Sequence, residues 1–183
     1  LLLLDGGSAF FPINKRLKPT EVKEAVRKAE LITESYNRIG YSAMAIGPYD
    51  LITGLDNLLK LKKKARFQML SANFVDKDGK LVFKPHAVFE VGGIRVGVIG
   101  LNLETNPKPV LEKRAPGCKI LDPFTAAARS YETLRPETDI IIALSHSGET
   151  SEILRFLETI RRLGAEVIAI TGTPTSSLGQ AAD

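Results

Sequence analysis

Three times along this chain a short apolar run stops at a turn of small and polar residues and gives way to a helix pattern. The stretches read LLLLDGGS at residues 1–8, AMAIGPYD at 43–50 and DIIIALSHSGET at 139–150. Unbroken aliphatic runs, with no apolar/polar alternation, suit strands covered on both faces, and parallel strands crossed by helices are the common case. The recurrence therefore restricts the chain to α/β architectures in which several strands end at one edge, where ligands gather in open α/β sheets.

The connecting segments fit that plan. Thr20 is placed to cap a helix whose apolar face is Val22, Val26, Ala29, Ile32 or Thr33, Tyr36 and Ile39, and Gly40 stops it. A second helix is predicted over Leu55 to Lys64, and Phe67–Ala72 reads as a third strand. From residue 73 the pattern becomes an antiparallel meander. Lys77-Asp78-Gly79-Lys80 and Gly92-Gly93 are its turns, and Leu81–Phe83, Ala87–Val91 and Ile94–Leu101 its strands. The last strand, IRVGVIGL, carries glycines where another backbone can approach. Residues 102–121 read as a long loop. Asp122-Pro123 opens a helix, Asp139–Leu144 is a strand, and a helix over 150–163 leads to a strand at Glu166–Thr171. The expected fold is a single α/β domain over residues 1–183, with helices on a mixed sheet or on a two-sheet sandwich and a parallel βαβ unit at 139–183.

Composition narrows the partners. A net charge of +4 is spread along the chain, and its densest run, Lys60 to Arg66, lies at a helix end where cations suit the dipole. That run reads as a solvated face, so neither nucleic acid nor membrane is expected as a partner. No apolar run is long enough to cross a bilayer. Cys118 is the sole cysteine. LLLL lacks the basic flank of a signal peptide and reads as a buried strand, so a fragment truncated at its N-terminus or an engineered boundary is expected.

The stretch ALSHSGETSEIL, residues 143–154, holds one of two histidines, and its turn carries the hydroxyls of Ser145, Ser147 and Thr150. His146 there is a candidate metal ligand. Ser145, Ser147, Gly148 and Thr150 are candidate phosphate contacts, because a helix that starts after a glycine turn offers free N–H groups and its positive dipole end to a dianion. The same hydroxyls also serve as ordinary helix caps. Asp5 and Asp50, at the ends of the first two runs, can join His146 around one weakly held ion, or cap their own turns. His86 reads as a surface histidine.

The order and wording of LLLLDGGS, AMAIGPYDLITGLDNLL, FQMLSANFVDKDGKLVFKPHAVFEVGGIRVGVIGL and DIIIALSHSG resemble the 5′-nucleotidase branch of the calcineurin-like metallophosphoesterases over residues 1–148. The resemblance implies a fold in which two divalent metals (Mn, Mg or Zn) activate water against a phosphate ester. It also implies a deficit. The bridging Asp falls on Ser8, the metal-binding Asn on Pro48 and the catalytic His on Tyr49. The late His-x-His pair falls on Thr171-Gly172-Thr173, and the opening Asp-x-His would lie before Leu1. Only His146 matches a ligand position. From Asp139 to Asp183 the wording is similar instead to the SIS phosphosugar-binding domain of arabinose-5-phosphate isomerases, whose Ser-x-Ser-Gly-x-Thr phrase is Ser145-His146-Ser147-Gly148-Glu149-Thr150 here. The first half of an SIS domain is not visible. The expected function is a weak or inactive 5′-nucleotidase-like phosphoesterase homologue that meets phosphate-ester small molecules, nucleotides or sugar phosphates. The alternatives are an SIS-type phosphosugar-binding or isomerising module and a chimeric or designed scaffold.

Overall fold

The computed structural model describes residues 1–11, 17–102 and 108–144. In chain order they form β1 (Leu4–Asp5), α1 (Pro19–Ile39), β2 (Ala43–Ala45), α2 (Leu55–Lys64), β3 (Gln68–Leu70), β4 (Phe74–Val75), β5 (His86–Val91), β6 (Ile94–Gly100), α3 (Lys108–Arg114), β7 (Lys119–Ile120), α4 (Pro123–Leu134) and β8 (Ile140–Leu144). The expected helix at 150–163, the strand at 166–171 and the C-terminal βαβ unit they complete lie outside the described residues.

Local chemistry explains most boundaries. α1 stops where Gly40 takes a left-handed conformation (φ +87°) and donates its N–H to Tyr36 O. Its start differs from the expectation. Pro19 occupies the first turn, and Glu21 reaches back to the Lys18 N–H at 2.7 Å, so Lys18 rather than Thr20 is the cap position. The buried stripe is Ala25, Ala29 and Thr33, while Ile39 is exposed. α4 begins as expected, with the Asp122 carboxylate accepting from Thr125 N and Thr125 Oγ1, both at 2.7 Å. Four expectations need correction. Only Leu4 and Asp5 of the opening run pair as strand, and Leu1 is fully exposed. The meander reduces to the β5–β6 hairpin, because Leu81 makes a single bridge to Val75. Residues 102–121 contain α3 and β7, with Leu111, Ala115 and Cys118 buried. The Lys60–Arg66 run is only partly solvated: Lys62 Nζ donates to Val82 O at 2.9 Å and lies 4.8 Å from the Phe83 ring centre.

Two three-stranded sheets carry the architecture, one parallel in the order β1-β2-β3, the other mixed in the order β5-β6-β8. Strand alternation divides their side chains between layers. Met44, Ile46 and Met69 face α1 and α2, joining Ala29, Leu58 and Leu61 in the larger core. Ala43, Leu70, Val96 and Val98 fill the layer between the sheets, with Leu4, Phe89, Ile142 and Leu144 packed against them. α4 covers the far side of β6, where a side chain at Gly97 would meet Leu134 and Thr138. The sheets converge at the C-terminal ends of β3 and β6. A side chain at Gly100 would run into the Leu70 backbone there, and Ala72 N donates to Gly100 O at 2.7 Å. The antiparallel pair β4–β7 closes the region beyond that junction.

Candidate functional site

The turns after β1 and β2 meet through a buried carboxylate. Asp50, 1% exposed, lies in the short 3₁₀ turn Pro48–Leu51. Its Oδ2 accepts from Ser8 N and Gly47 N, both at 2.8 Å, and its Oδ1 from Phe10 N at 3.2 Å. Burial and the neighbouring Asp5 push its pKa up to about 7, while the three N–H groups pull the other way. Ser8 is buried with φ +58°, a backbone state uncommon for a non-glycine residue. A side chain at Gly47 would lie 2.5 Å from Ser8 N, so the two turns pack this closely only because residue 47 has none.

Ser8 and the adjacent pair Pro48-Tyr49, some forty residues later in the sequence, are therefore neighbours in the fold, as the resemblance implied. Their donors do not suit a pair of divalent cations. Ser8 Oγ is neutral and accepts from Tyr49 N at 3.3 Å. Pro48 has no side-chain donor atom. The Asp50 carboxylate holds backbone N–H groups. Asp5 accepts from Gly7 N and from Tyr36 Oη, both at 2.8 Å, which draws it toward α1. The Tyr36 hydroxyl is held protonated, its pKa raised by burial and by that bond, and its ring stacks on Tyr41 at 3.9 Å. Among the described residues no three His, Cys, Asp or Glu side chains gather as a metal-binding group. His146 and the phosphate candidates Ser145, Ser147, Gly148 and Thr150 lie outside the described residues, although β8 ends immediately before them.

Sequence reading missed the other half of this edge. The Asn73 side chain accepts from Asn102 N at 2.9 Å and donates to Asn102 O at 2.6 Å and Leu121 O at 3.0 Å, joining the ends of β3, β6 and β7. A buried-asparagine signal was available only as one Asn in SANF between apolar neighbours. His86 is half-buried in β5 rather than a surface residue. Its Nδ1 is shielded and has no hydrogen-bond partner among the described residues, and burial lowers its pKa.

Comparison with known proteins agrees with both resemblances. Over most of its length the chain is homologous to 5′-nucleotidases. It is 35% identical across 151 residues to the 5′-nucleotidase of Vibrio cholerae, a match covering 81% of this chain and 26% of that protein. The chain thus spans about a quarter of the length of the curated relatives it matches. The 5′-nucleotidase precursor of Thermus thermophilus superposes with a TM-score of 0.62 at 30% identity, over 85% of this chain and 29% of that one. The calcineurin-like phosphoesterase YfkN of Bacillus subtilis has the same fold, with a TM-score of 0.65 at 24% identity over 81% of this chain and 49% of that one. The SIS domain family matches residues 126–183. That match starts inside α4, ahead of Asp139, and the two likenesses together cover more residues than the chain has, so they overlap across α4 and β8. Both families tolerate a helix followed by an aliphatic strand here, because the burial pattern asks nothing more specific.

Proposed function

We propose that residues 1 to about 148 are the phosphoesterase-fold part of a 5′-nucleotidase-like protein that has little or no hydrolytic activity of its own. The proposal extends to one domain over residues 1–183, with 139–183 a βαβ segment within it. The observation that carries the reading is the occupation of the strand-end donors. Ser8, Asp50 and Asp5 are near one another, as a metal centre of this fold requires, but each is bonded to neighbouring protein groups. Two-metal hydrolysis needs anionic ligands bridging both ions and a water held between them. A neutral serine hydroxyl at position 8 brings no negative charge to bridge two cations, and a proline at position 48 has no side-chain donor atom at all.

Metal analysis of protein purified with manganese, with a phosphatase assay on nucleoside monophosphates, tests this. The expected result is less than one metal per chain and no turnover above buffer. Two bound metals with steady turnover would overturn the reading.

The SIS match favours a second reading, in which residues 145–150 bind the phosphate of a sugar phosphate. Ser145, Ser147 and Thr150 would donate hydroxyls and Gly148 its backbone N–H, in the manner of a helix N-terminus receiving a dianion. Arabinose 5-phosphate should then raise the melting temperature, and Ser147→Ala should abolish the rise. No shift with any sugar phosphate would count against it.

A further inference from the structure

Among the described residues β5 is a lightly protected edge strand. Among the described residues it pairs only with β6, in unbroken register from His86↔Ile99 to Val91↔Ile94. No Pro, Gly or Lys interrupts HAVFEV, and there is no bulge. Of the devices that blunt natural edge strands, it carries only the exposed charge of Glu90. Val88 at its centre is 44% exposed.

The ladder shows which backbone groups are open. Gly100 N donates to Pro85 O at 3.2 Å, which makes that pair a hydrogen-bonded one. By alternation Ala87, Phe89 and Val91 also turn their N–H and C=O toward β6. His86, Val88 and Glu90 therefore turn theirs outward.

We propose that the chain forms a twofold dimer in which β5 pairs antiparallel with β5 of a second copy, extending the β5-β6-β8 sheet across the axis. Centring on Val88 is the one register that sets all three outward residues against each other. Val88 exchanges both backbone bonds with Val88 of the second copy, and His86 does so with Glu90. Shifting the pairing by two residues leaves His86 or Glu90 without an outward partner inside the strand. The side chains agree with this register. On the α4 face, His86 stands opposite the carboxylate of Glu90, and Val88 covers Val88. On the inner face, small Ala87 stands opposite large Phe89, continuing the apolar layer to which both belong. Across β6, Arg95 is engaged by Asp139 at 3.5 Å.

Sedimentation equilibrium of the whole chain over a concentration series tests the proposal. The wild-type chain is expected to dimerise with rising concentration. Val88→Lys sets two cations on the axis and should leave only monomer, with circular dichroism and melting unchanged, because the outward Val88 side chain supports no core. His86→Glu should weaken the dimer by opposing Glu90, and His86→Glu with Glu90→Lys should restore it, which a merely misfolded variant would not do. A chain that stays monomeric up to about 1 mM overturns the proposal. So does a dimer that survives Val88→Lys, and failure of the double variant to recover overturns the register.

Discussion

The same edge of the molecule is tied together in two chemically opposite ways. The turns after β1 and β2 converge on the anionic Asp50, and the ends of β3, β6 and β7 converge on the neutral Asn73. Each side chain organises backbone groups that no strand can satisfy. An amide does this at little cost, since it is fully buried yet carries no charge. A carboxylate binds several N–H groups more strongly but must be desolvated, which makes its grip depend on pH.

The comparison breaks most severely at Asp50. Asp50→Ala strands three buried N–H groups and should cost about 4 kcal/mol in urea unfolding. Asn73→Ala should cost somewhat less, about 3 kcal/mol, since the backbone groups of Asn102 and Leu121 lose a neutral partner. Gly47→Ala should cost about 2 kcal/mol through overpacking against Ser8, unless the turns part. Asp122→Ala, at an exposed cap one residue past Leu121, should cost only about 1 kcal/mol.

A pH series sharpens the contrast. The Asp50 pKa rises from 3.8 to about 7 on folding, so the native state holds the extra proton between those values. Its contribution to stability is present in full below about pH 4 and is lost as pH rises through 7. Stability measured from pH 4 to 8 should therefore fall across that window in the wild type, and Asp50→Asn should flatten the fall. Asn73→Ala should leave it unchanged. A wild-type profile rising across the same range would mean that the three N–H groups outweigh burial.

Much of the scaffold was legible because its signals are local. The bounds of α2, the stop at Gly40, the Gly92-Gly93 turn and the Asp122 cap each depend on chemistry within a few residues. The segment 102–121 was misread for the opposite reason. Its prolines hide a short helix and a two-residue strand that exist because Leu111 and Cys118 find the larger core and Ile120 finds Phe74. At the candidate site, family wording brought Ser8, Pro48 and Tyr49 to attention, whereas nothing near Asp50 announces that its partners include residues some forty positions earlier.

The sequence alone determined the α/β class, the strand ends that form a common edge and the neutral or donor-free side chains at positions 8 and 48, because periodicity, turn residues and side-chain chemistry are properties of short stretches. Only the tertiary structure decided that Asp5 and Asp50 hold Tyr36 and the turn backbones, that Asn73 joins three strands and that, among the described residues, β5 has no second strand partner. Those outcomes depend on which distant groups are brought within 3 Å and shut away from water, where an unmet hydrogen bond becomes costly enough to choose the partner.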